Sequence, residues 1–255
     1  MVWLQNDERE DSQAREVFFC FAAFASFTFS GFPMTSLEFR DRLARRTRRA
    51  KAPIALNMLD PLEAYFRLLA QWNATINLTA LPLDTPTDET FDRLLVEPLA
   101  AAKQIPTNTP SAWFDLGSGG GSPAIPIKIA RPALRLTMIE SKERKSAFLR
   151  EAIRALGLTG ASVETDRFEV AAGRPLFSGT GDVVTVRAVK ADPKLFDTAG
   201  RMLKEGGRLL LFRPAHSPSA DPPGFQRVDT VPLIESPPSF LGIYFRKSTD
   251  LRFGD

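Results

Sequence analysis

A glycine-rich loop between two apolar segments is the part of the chain best suited to chemistry. The stretch from Trp113 to Pro126 reads WFDLGSGGGSPAIP, with one acid, Asp115, two residues before the first glycine. An apolar run that breaks into glycines and then into a second apolar run predicts a buried strand, a tight turn and a helix start. Glycines allow positive φ and close approach to a ligand, and a helix start offers free N–H groups. The loop is therefore predicted to hold a small molecule at the carboxyl end of a strand.

The spacing of the glycines narrows the choice of small molecule. Gly117, Gly119 and Gly121 alternate as G-x-G-x-G. Ser122 stands where the dinucleotide fingerprint G-x-G-x-x-G has its third glycine. Asp115 would be poorly placed beside a pyrophosphate but well placed to orient a loop around a cationic amino acid. The pattern D-x-G-x-G-x-G resembles motif I of the class I S-adenosyl-L-methionine (SAM) methyltransferases, with a purely structural glycine turn and nicotinamide binding as the alternatives.

A second acid supports a ligand that contains a ribose. The segment 134–139 is predicted to be the second strand, and Glu140 follows it, 23 residues after Gly117. In a doubly wound sheet, a carboxylate at this position can accept hydrogen bonds from ribose hydroxyls. Glu140 is therefore predicted to bind the ribose of the cofactor.

The elements that must position this loop alternate along the chain. Further strands are predicted at 161–165, 182–186 and 208–212, and two more, 225–231 and 240–247, form a terminal hairpin-like pair. Helices are predicted between them, at 142–156 and 195–203. Alternating strands and helices predict an α/β fold with a parallel sheet and right-handed crossovers. Arg187 follows an apolar strand, where a charge needs a specific partner.

Two segments precede the glycine loop, and neither is predicted to belong to the ligand-binding domain. Residues 1–33 join an acidic start to a Phe-rich apolar run of 16 residues, which is short for a membrane span and lacks the basic region of a signal peptide. We expect an atypical extension outside the fold, with an export or anchoring segment as the alternative. Residues 34–110 are predicted to form an N-terminal helical segment, and residues 111–255 the SAM-binding domain.

Two features of the helical segment carry predictions. Asp60 is predicted to be a helix N-cap, with Glu63 at capping-box spacing. The run 37–51 carries seven basic residues, which are predicted either to contact the phosphates of a nucleic acid or to form a solvated helix face.

Composition excludes several kinds of chemistry. The 255 residues carry a net charge of +3 and include one cysteine, Cys20, and one histidine, His216. A single cysteine permits neither a disulfide framework nor a zinc cluster, and a single histidine makes Ser-His-Asp or Cys-His catalysis hard to build. We therefore expect a cytoplasmic protein with no metal and no membrane span.

Several separate motifs resemble one family, the bacterial 16S ribosomal RNA guanine-N7 methyltransferases of the glucose-inhibited division protein B type. WNATINLTA, from Trp72, resembles the family's W-N-x-x-x-N-L-T, and the glycine loop resembles D-x-G-[ST]-G-x-G-x-P-G-I-P. ESKERKSAFL, from Glu140, is similar to D-S-x-x-K-R-x-x-F-L. RFE and VRA, which follow the third and end the fourth strand, resemble R-x-E and S-R-A. The likeness covers 60–247.

The resemblance implies a class I, Rossmann-like methyltransferase fold with a mostly parallel twisted sheet, helices on both faces and SAM as cofactor. The SAM site it implies comprises Asp115, Gly117, Gly119, Gly121, Ser122, Glu140, Phe168, Glu169 and Arg187. It also implies 16S rRNA, or a small ribosomal subunit precursor, as the partner. Guanine N7 has a free lone pair, so methyl transfer needs positioning and electrostatics, and no catalytic residue is predicted.

The chain departs from the family pattern at positions expected to face RNA. The family's R-H-x-x-D-S reads RLLVEP over 93–98, so that Leu94 and Pro98 replace histidine and serine. Its K-G after the fifth strand reads Arg213 and Pro214. Two alternatives therefore stay open: a diverged SAM-dependent methyltransferase for another RNA or a small molecule, and a non-catalytic SAM- or RNA-binding paralogue. The sequence does not predict the oligomeric state.

Overall fold

The computed structural model describes residues 34–105, 111–213 and 221–247. The described residues from Thr35 onward belong to one compact unit. The predictions for residues 1–33 lie outside the described residues, as do Cys20 and His216. The division at residues 110 and 111 stays a prediction.

A seven-stranded sheet in the order β3-β2-β1-β4-β5-β7-β6 forms the centre of the fold. Its strands are β1 (Ala112–Leu116), β2 (Arg135–Ile139), β3 (Ala161–Glu164), β4 (Gly181–Val186), β5 (Leu203–Arg213), β6 (Phe225–Glu235) and β7 (Pro238–Arg246). The strands β1 to β5 are parallel, and β7 is antiparallel to both of its neighbours. The predicted α/β fold is confirmed. The strand order reverses between β1 and β4, and ligands of open α/β sheets bind outside the carboxyl ends of the strands at such a point.

Short helices surround the sheet and precede it. After β1 come α5 (Ala124–Ala130), α6 (Glu143–Ala155), α7 (Phe168–Ala171) and α8 (Pro193–Met202). Before β1 lie α1 (Ser36–Arg49), a 3-10 turn (Leu56–Met58), α2 (Leu59–Asn73), α3 (Asp88–Phe91), a π-helical turn (Asp92–Val96), α4 (Glu97–Ala101) and a 3-10 turn (Ala102–Gln104). None of the described helices has the length and apolar character that crossing a bilayer requires.

The predicted N-cap at Asp60 is wrong. The N-cap position of α2 is Met58, two residues earlier, and the helix begins at Leu59. No side chain caps it, because the preceding 3-10 turn already brings the backbone in with helical dihedrals. Asp60 forms an ion pair with Arg40 at 2.6 Å. Glu63 is buried and accepts a hydrogen bond from the hydroxyl of Ser36 at 2.6 Å, so it joins α2 to α1 rather than closing a capping box.

One face of the sheet carries the main apolar cluster. It packs Leu195, Phe196, Ala199 and Met202 of α8 against Phe114, Leu116, Val184, Val186, Leu209 and Leu211 of the strands. Alternate strand residues point to the opposite face. There the indole Nε1 of Trp113 donates to Thr185 Oγ1 at 2.9 Å, and Thr185 in turn donates to Asp115. Asp115 is thus fixed from the neighbouring strand β4.

The N-terminal helices have an aromatic core of their own and lie against the β1–α5 unit. The rings of Phe39, Phe66 and Phe91 have centroids 5.2–5.5 Å apart and join α1, α2 and α3. The helix α2 packs on α5 and α6, and Trp72 meets Phe148 of α6 edge to face at 5.8 Å. The segment that begins with Trp72 is therefore held beside the glycine loop.

The basic run forms α1, and its cations fall into two groups. Arg40, Arg42 and Arg46 form ion pairs with acids that follow in the chain. The side chain of Arg46 is only 12% exposed; its Nε and Nη2 donate to the buried carboxylate of Asp92, and its Nη1 donates to Asp88. The second group consists of the exposed residues Arg45, Arg48, Arg49 and Lys51. Arg40 is exposed as well, with 44% of its side chain accessible beside its ion pair.

Candidate functional site

The glycine loop leaves β1 with three left-handed residues in alternation. The φ angles of Gly117, Gly119 and Gly121 are +71°, +50° and +83°. The N–H groups of Gly117 and Ser118 both donate to the carbonyl of Ile139, at 2.9 and 3.2 Å, and so tie the loop to the end of β2. The alternating glycines of the sequence thus correspond to alternating positive φ values, which side chains resist.

The three glycines differ in what an added side chain would contact. A Cβ on Gly121 would lie 2.5 Å from Ile125 Cδ1, and one on Gly117 would lie 3.0 Å from Val189 Cγ2. A Cβ on Gly119 would meet nothing nearer than the carbonyl of Gly117 at 3.8 Å. Gly119 also lines a cavity. Its missing side chain therefore leaves space that a ligand can fill.

The cavity has a volume of about 550 Å³, within the range of small-molecule sites. It lies at the carboxyl ends of β1, β2 and β4, where the strand order reverses. Its walls come from four places: Leu69, Leu78, Thr79 and Leu81 of the N-terminal segment; Arg93 and Leu94 of the π-helical turn; Gly117 to Gly120, Ser122, Glu140 and Lys145; and Arg187, Ala188, Val189 and Phe212.

The structure brings together five of the nine predicted SAM-binding residues in the lining of this cavity, namely Gly117, Gly119, Ser122, Glu140 and Arg187. The other four lie outside the lining. Asp115 is buried beneath the loop, and Gly121 packs against α5. Phe168 packs on the main apolar cluster, and Glu169 forms an ion pair with Lys194 at 3.5 Å. Cofactor binding by these residues stays a prediction.

Glu140 holds the glycine loop in place. One carboxylate oxygen accepts the N–H of Gly119 at 2.9 Å, and the other accepts the N–H of Lys142 at 2.9 Å. The residue is 7% exposed and lines the cavity. Each carboxylate oxygen has a second acceptor site, so Glu140 can also receive hydrogen bonds from hydroxyl groups of a ligand.

Asp115 is a buried acid with one unsatisfied oxygen. Its Oδ1 accepts the hydroxyl of Thr185 at 2.5 Å, whereas Oδ2 has no partner among the described residues. Burial raises the pKa of Asp115 to about 6, although the hydrogen bonds it accepts and the charge of Arg187 act in the opposite direction. A cationic group bound near the loop would compensate this charge.

Arg187 has the specific partner that its position requires. Its guanidinium donates to the carbonyl of Arg93 and to Ser122 Oγ at 3.2 Å, and it lies 3.3 Å from the carboxylate of Glu97. Glu97 also lies 3.4 Å from the guanidinium of Arg93. Burial raises the pKa of Glu97 and lowers that of Arg187, while their mutual attraction opposes both shifts. A single buried carboxylate therefore joins two cavity-lining arginines.

The π-helical turn supplies acceptors for this network. The hydroxyl of Ser122 donates to the carbonyl of Leu94 at 2.9 Å, beside the bond from Arg187 to the carbonyl of Arg93. Turns of this kind occur often at functional sites, because they release backbone groups from the helix. Leu94, which replaces the histidine of the family pattern, lines the cavity itself. Pro98 is buried in α4, Arg213 ends β5, and Pro214 lies outside the described residues.

Sequence reasoning missed the supports that come from the N-terminal helices. The hydroxyl of the buried Tyr65 donates to the carbonyl of Gly120 at 2.7 Å. Asn73 Oδ1 accepts the N–H groups of both Leu78 and Thr79 at 2.9 Å and so shapes the turn that lines the cavity. The motif WNATINLTA was the available signal for Asn73 and its turn. Nothing local to Tyr65 indicates a partner 55 residues away.

The polar groups of the site suit SAM. Glu140 in the cavity lining fits ribose hydroxyls, and the cations Arg93, Lys145 and Arg187 fit a carboxylate. The buried Asp115 beneath the loop, with its unsatisfied oxygen, suits a cationic amino acid bound above it. Across 34–105, 111–213 and 221–247, no three His, Cys, Asp or Glu side chains cluster as metal ligands. The charged and hydrogen-bonding groups of the site therefore suit an organic ligand that carries both positive and negative charges.

Comparison with known proteins gives consistent matches. Residues 58–219 match the model of a family described as rRNA small subunit methyltransferase G. The chain is 36% identical to ribosomal RNA small subunit methyltransferase G of Stenotrophomonas maltophilia strain K279a over 181 residues, covering 69% of this chain and 80% of the relative. The corresponding protein of Xanthomonas axonopodis pv. citri is 35% identical over 178 residues, covering 68% and 78%.

Solved structures resemble the fold at low sequence identity. The crystal structure of MtNAS in complex with MTA and tNA matches with a TM-score of 0.52 and 14% identity, covering 97% of this chain and all of that one. A SAM-dependent methyltransferase from Aquifex aeolicus matches with a TM-score of 0.46 and 16% identity, covering 60% of this chain and 90% of its own. At 14% identity, the match to MtNAS supports a similarity of fold alone.

Proposed function

This chain belongs to the rRNA small subunit methyltransferase G family, and from that premise we propose that it transfers the methyl group of SAM to N7 of a guanine in 16S ribosomal RNA. The observation that carries the proposal is the geometry at Gly119. Its N–H group is held by Glu140, while its missing Cβ opens onto the cavity. A glycine loop beside a carboxylate at the end of β2 supports the binding of a cofactor that contains a ribose.

Each side of the cavity would hold a different part of the cofactor. Glu140 would accept the ribose hydroxyls with the acceptor sites that the loop leaves available. Asp115, beneath the loop, would stabilise the cationic methionine end by its charge. Arg187 and Ser122, held by Glu97 and by the carbonyl of Leu94, would keep the loop closed on the cofactor.

When bound, SAM supplies an electrophilic methyl group on a sulfonium. Guanine N7 presents a free lone pair, so the residues of the site need not remove a proton before transfer. Their work is to hold the base in line with the methyl group and to exclude water. Leu94, Val189 and Phe212 give the cavity apolar surface for this purpose.

The direct test is mass spectrometry of the nucleosides of small-subunit rRNA from a deletion strain and its parent. We expect 7-methylguanosine to fall in the deletion strain and to return when the wild-type gene is restored. Restoring a Gly119→Val gene should not return it. An unchanged amount of 7-methylguanosine in the deletion strain would contradict the proposal.

A diverged substrate is the second candidate, and Leu94 is the observation that favours it. Leucine replaces the histidine of the family pattern in the wall of the cavity itself. If the purified protein binds SAM but the deletion leaves 7-methylguanosine unchanged, then another RNA or a small molecule is the substrate, or the protein is a non-catalytic SAM- or RNA-binding paralogue. Methyl transfer from labelled SAM to total cellular RNA separates these cases.

A further inference from the structure

The cavity carries more positive charge than its cofactor needs. Three cations, Arg93, Lys145 and Arg187, line it against one carboxylate, Glu140. Arg187 is matched by Glu97 at 3.3 Å behind the wall. Glu140 is engaged by the backbone N–H groups of Gly119 and Lys142 and not by a cation. The one carboxylate of SAM would engage one of the other two cations, Arg93 or Lys145, and the remaining one can bind an anionic group of the second substrate.

Arg93 differs from Arg187 in exposure and in bonding. Its side chain is 24% exposed, against 15% for Arg187. It lies 3.8 Å from Glu89 and 3.4 Å from Glu97, one helical turn away on either side. Both distances exceed those of hydrogen bonds, and no hydrogen bond from its guanidinium to a described residue is seen. The two acids therefore orient the guanidinium while leaving its N–H donors for a ligand.

The position of Arg93 connects the cavity with the basic helix α1. Asp92, its neighbour in the π-helical turn, is bound by Arg46 of α1. Arg46 also pairs with Asp88 of α3, so α1 is held against the segment that carries Arg93. The cations of α1 and Arg93 of the cavity lining therefore lie on elements that pack together.

We propose that Arg93 binds a phosphate of the RNA strand next to the nucleotide that is methylated. This inference rests on the proposed function. Phosphate is favoured over the base, because a guanidinium on the O6/N7 edge of guanine would donate to the lone pair that must attack. It would also lie against a ring that becomes cationic. A planar guanidinium binds phosphate through two parallel bonds, which would fix the strand and leave N7 free.

The test compares Arg93→Gln and Arg93→Lys with a matched control, Arg201→Gln. Arg201 is also a helical arginine in an ion pair with an acid four residues away, Asp197 at 3.3 Å, but it lies on α8 and outside the cavity lining. For each protein we would measure the SAM dissociation constant by calorimetry, the salt dependence of 16S rRNA binding, and the KM for RNA.

We expect Arg93→Gln to leave SAM affinity within about twofold while raising the KM for RNA about tenfold and lowering the salt slope by about 0.7–0.9. Arg93→Lys should recover most of the slope, and Arg201→Gln should match the wild type. A loss of SAM affinity with an unchanged slope would overturn the proposal and assign Arg93 to the cofactor. An unchanged slope with altered base preference would overturn it in favour of base contact. Binding can be read even if the wild type transfers no methyl group, so failure of the proposed function would be seen separately.

Discussion

The sharpest prediction compares Gly119→Ala with Gly157→Ala. Both glycines have left-handed φ angles, +50° and +60°, and a Cβ would meet no protein atom within 3.4 Å at either position. Each substitution should therefore cost about 1–2 kcal/mol of stability, the strain of a side chain in this region. Gly157 caps the end of α6, whereas Gly119 lines the cavity. The pair thus matches in strain and differs in what the new methyl group faces.

SAM affinity should distinguish the two variants. A methyl group on Gly119 would occupy space that the cofactor needs, and overpacking of this kind costs on the order of 1–3 kcal/mol, or about 5–150-fold in the dissociation constant. Gly157→Ala should bind SAM like the wild type. Calorimetric titration with SAM measures both constants, and chemical denaturation confirms that the losses of stability agree. Equal SAM affinity in the two variants would refute a cofactor bound against Gly119.

Substitution of Gly121 tests how the glycine loop packs on α5, independently of ligand binding. A Cβ on Gly121 would lie 2.5 Å from Ile125 and 3.3 Å from Leu149, at a φ of +83°. Gly121→Ala should therefore lose roughly 2–4 kcal/mol of stability, more than either of the other variants. If Gly121→Ala proved as stable as Gly157→Ala, the packing of the loop on α5 would be wrong.

The other predictions concern charge. Because the folded pKa of Asp115 is about 6, above the ordinary value, its contribution to stability is full below pH 4 and is lost as the pH rises through 6. The unfolding free energy of the wild type relative to Asp115→Asn should therefore fall by about 3 kcal/mol between pH 4 and 7.5 in denaturation series, and parallel curves would contradict this. Replacing Arg45, Arg48 and Arg49 by Ala should reduce the salt dependence of rRNA binding by the contribution of up to about three phosphate contacts, with little loss of stability. An unchanged salt dependence would mean that these arginines form a solvated helix face. Glu140→Gln should lose about 1–3 kcal/mol of SAM affinity in calorimetry, since an amide cannot accept with both atoms; unaltered affinity would remove Glu140 from the site.

Local patterns predicted the elements that carry the loop. The helix predicted to start after the glycines is α5, over Ala124–Ala130. The strands after β1 lie within a few residues of their predicted bounds, except that β5 begins earlier, at Leu203. Such elements follow from apolar periodicity, glycines and prolines, which act over a few residues. The prediction of Asp60 as the N-cap was wrong because the chain enters α2 from a 3-10 turn, which leaves no extended N-cap residue.

The contacts that complete the site could not be predicted in this way. Arg187 bonds to the carbonyl of a residue 94 positions earlier, and Tyr65 to one 55 positions later. Neither partner leaves a periodic signal, because each is specified by how the N-terminal helices pack on the sheet. The assignment of Phe168 and Glu169 to the pocket came from motif resemblance alone, and in the structure both side chains have other partners.

The buried network of Arg93, Glu97 and Arg187 is better understood as a positioning device than as a source of stability. Removing ionised groups from water costs several kcal/mol each, and apolar residues of similar volume often stabilise a core as well or better. What apolar residues cannot do is fix direction. Glu97 orients two guanidinium groups at once, that of Arg187, which is bonded to Ser122 of the glycine loop, and that of Arg93 in the cavity lining. A shift of this carboxylate would move both, so the loop that binds the cofactor and the proposed phosphate site are set by the same buried charge.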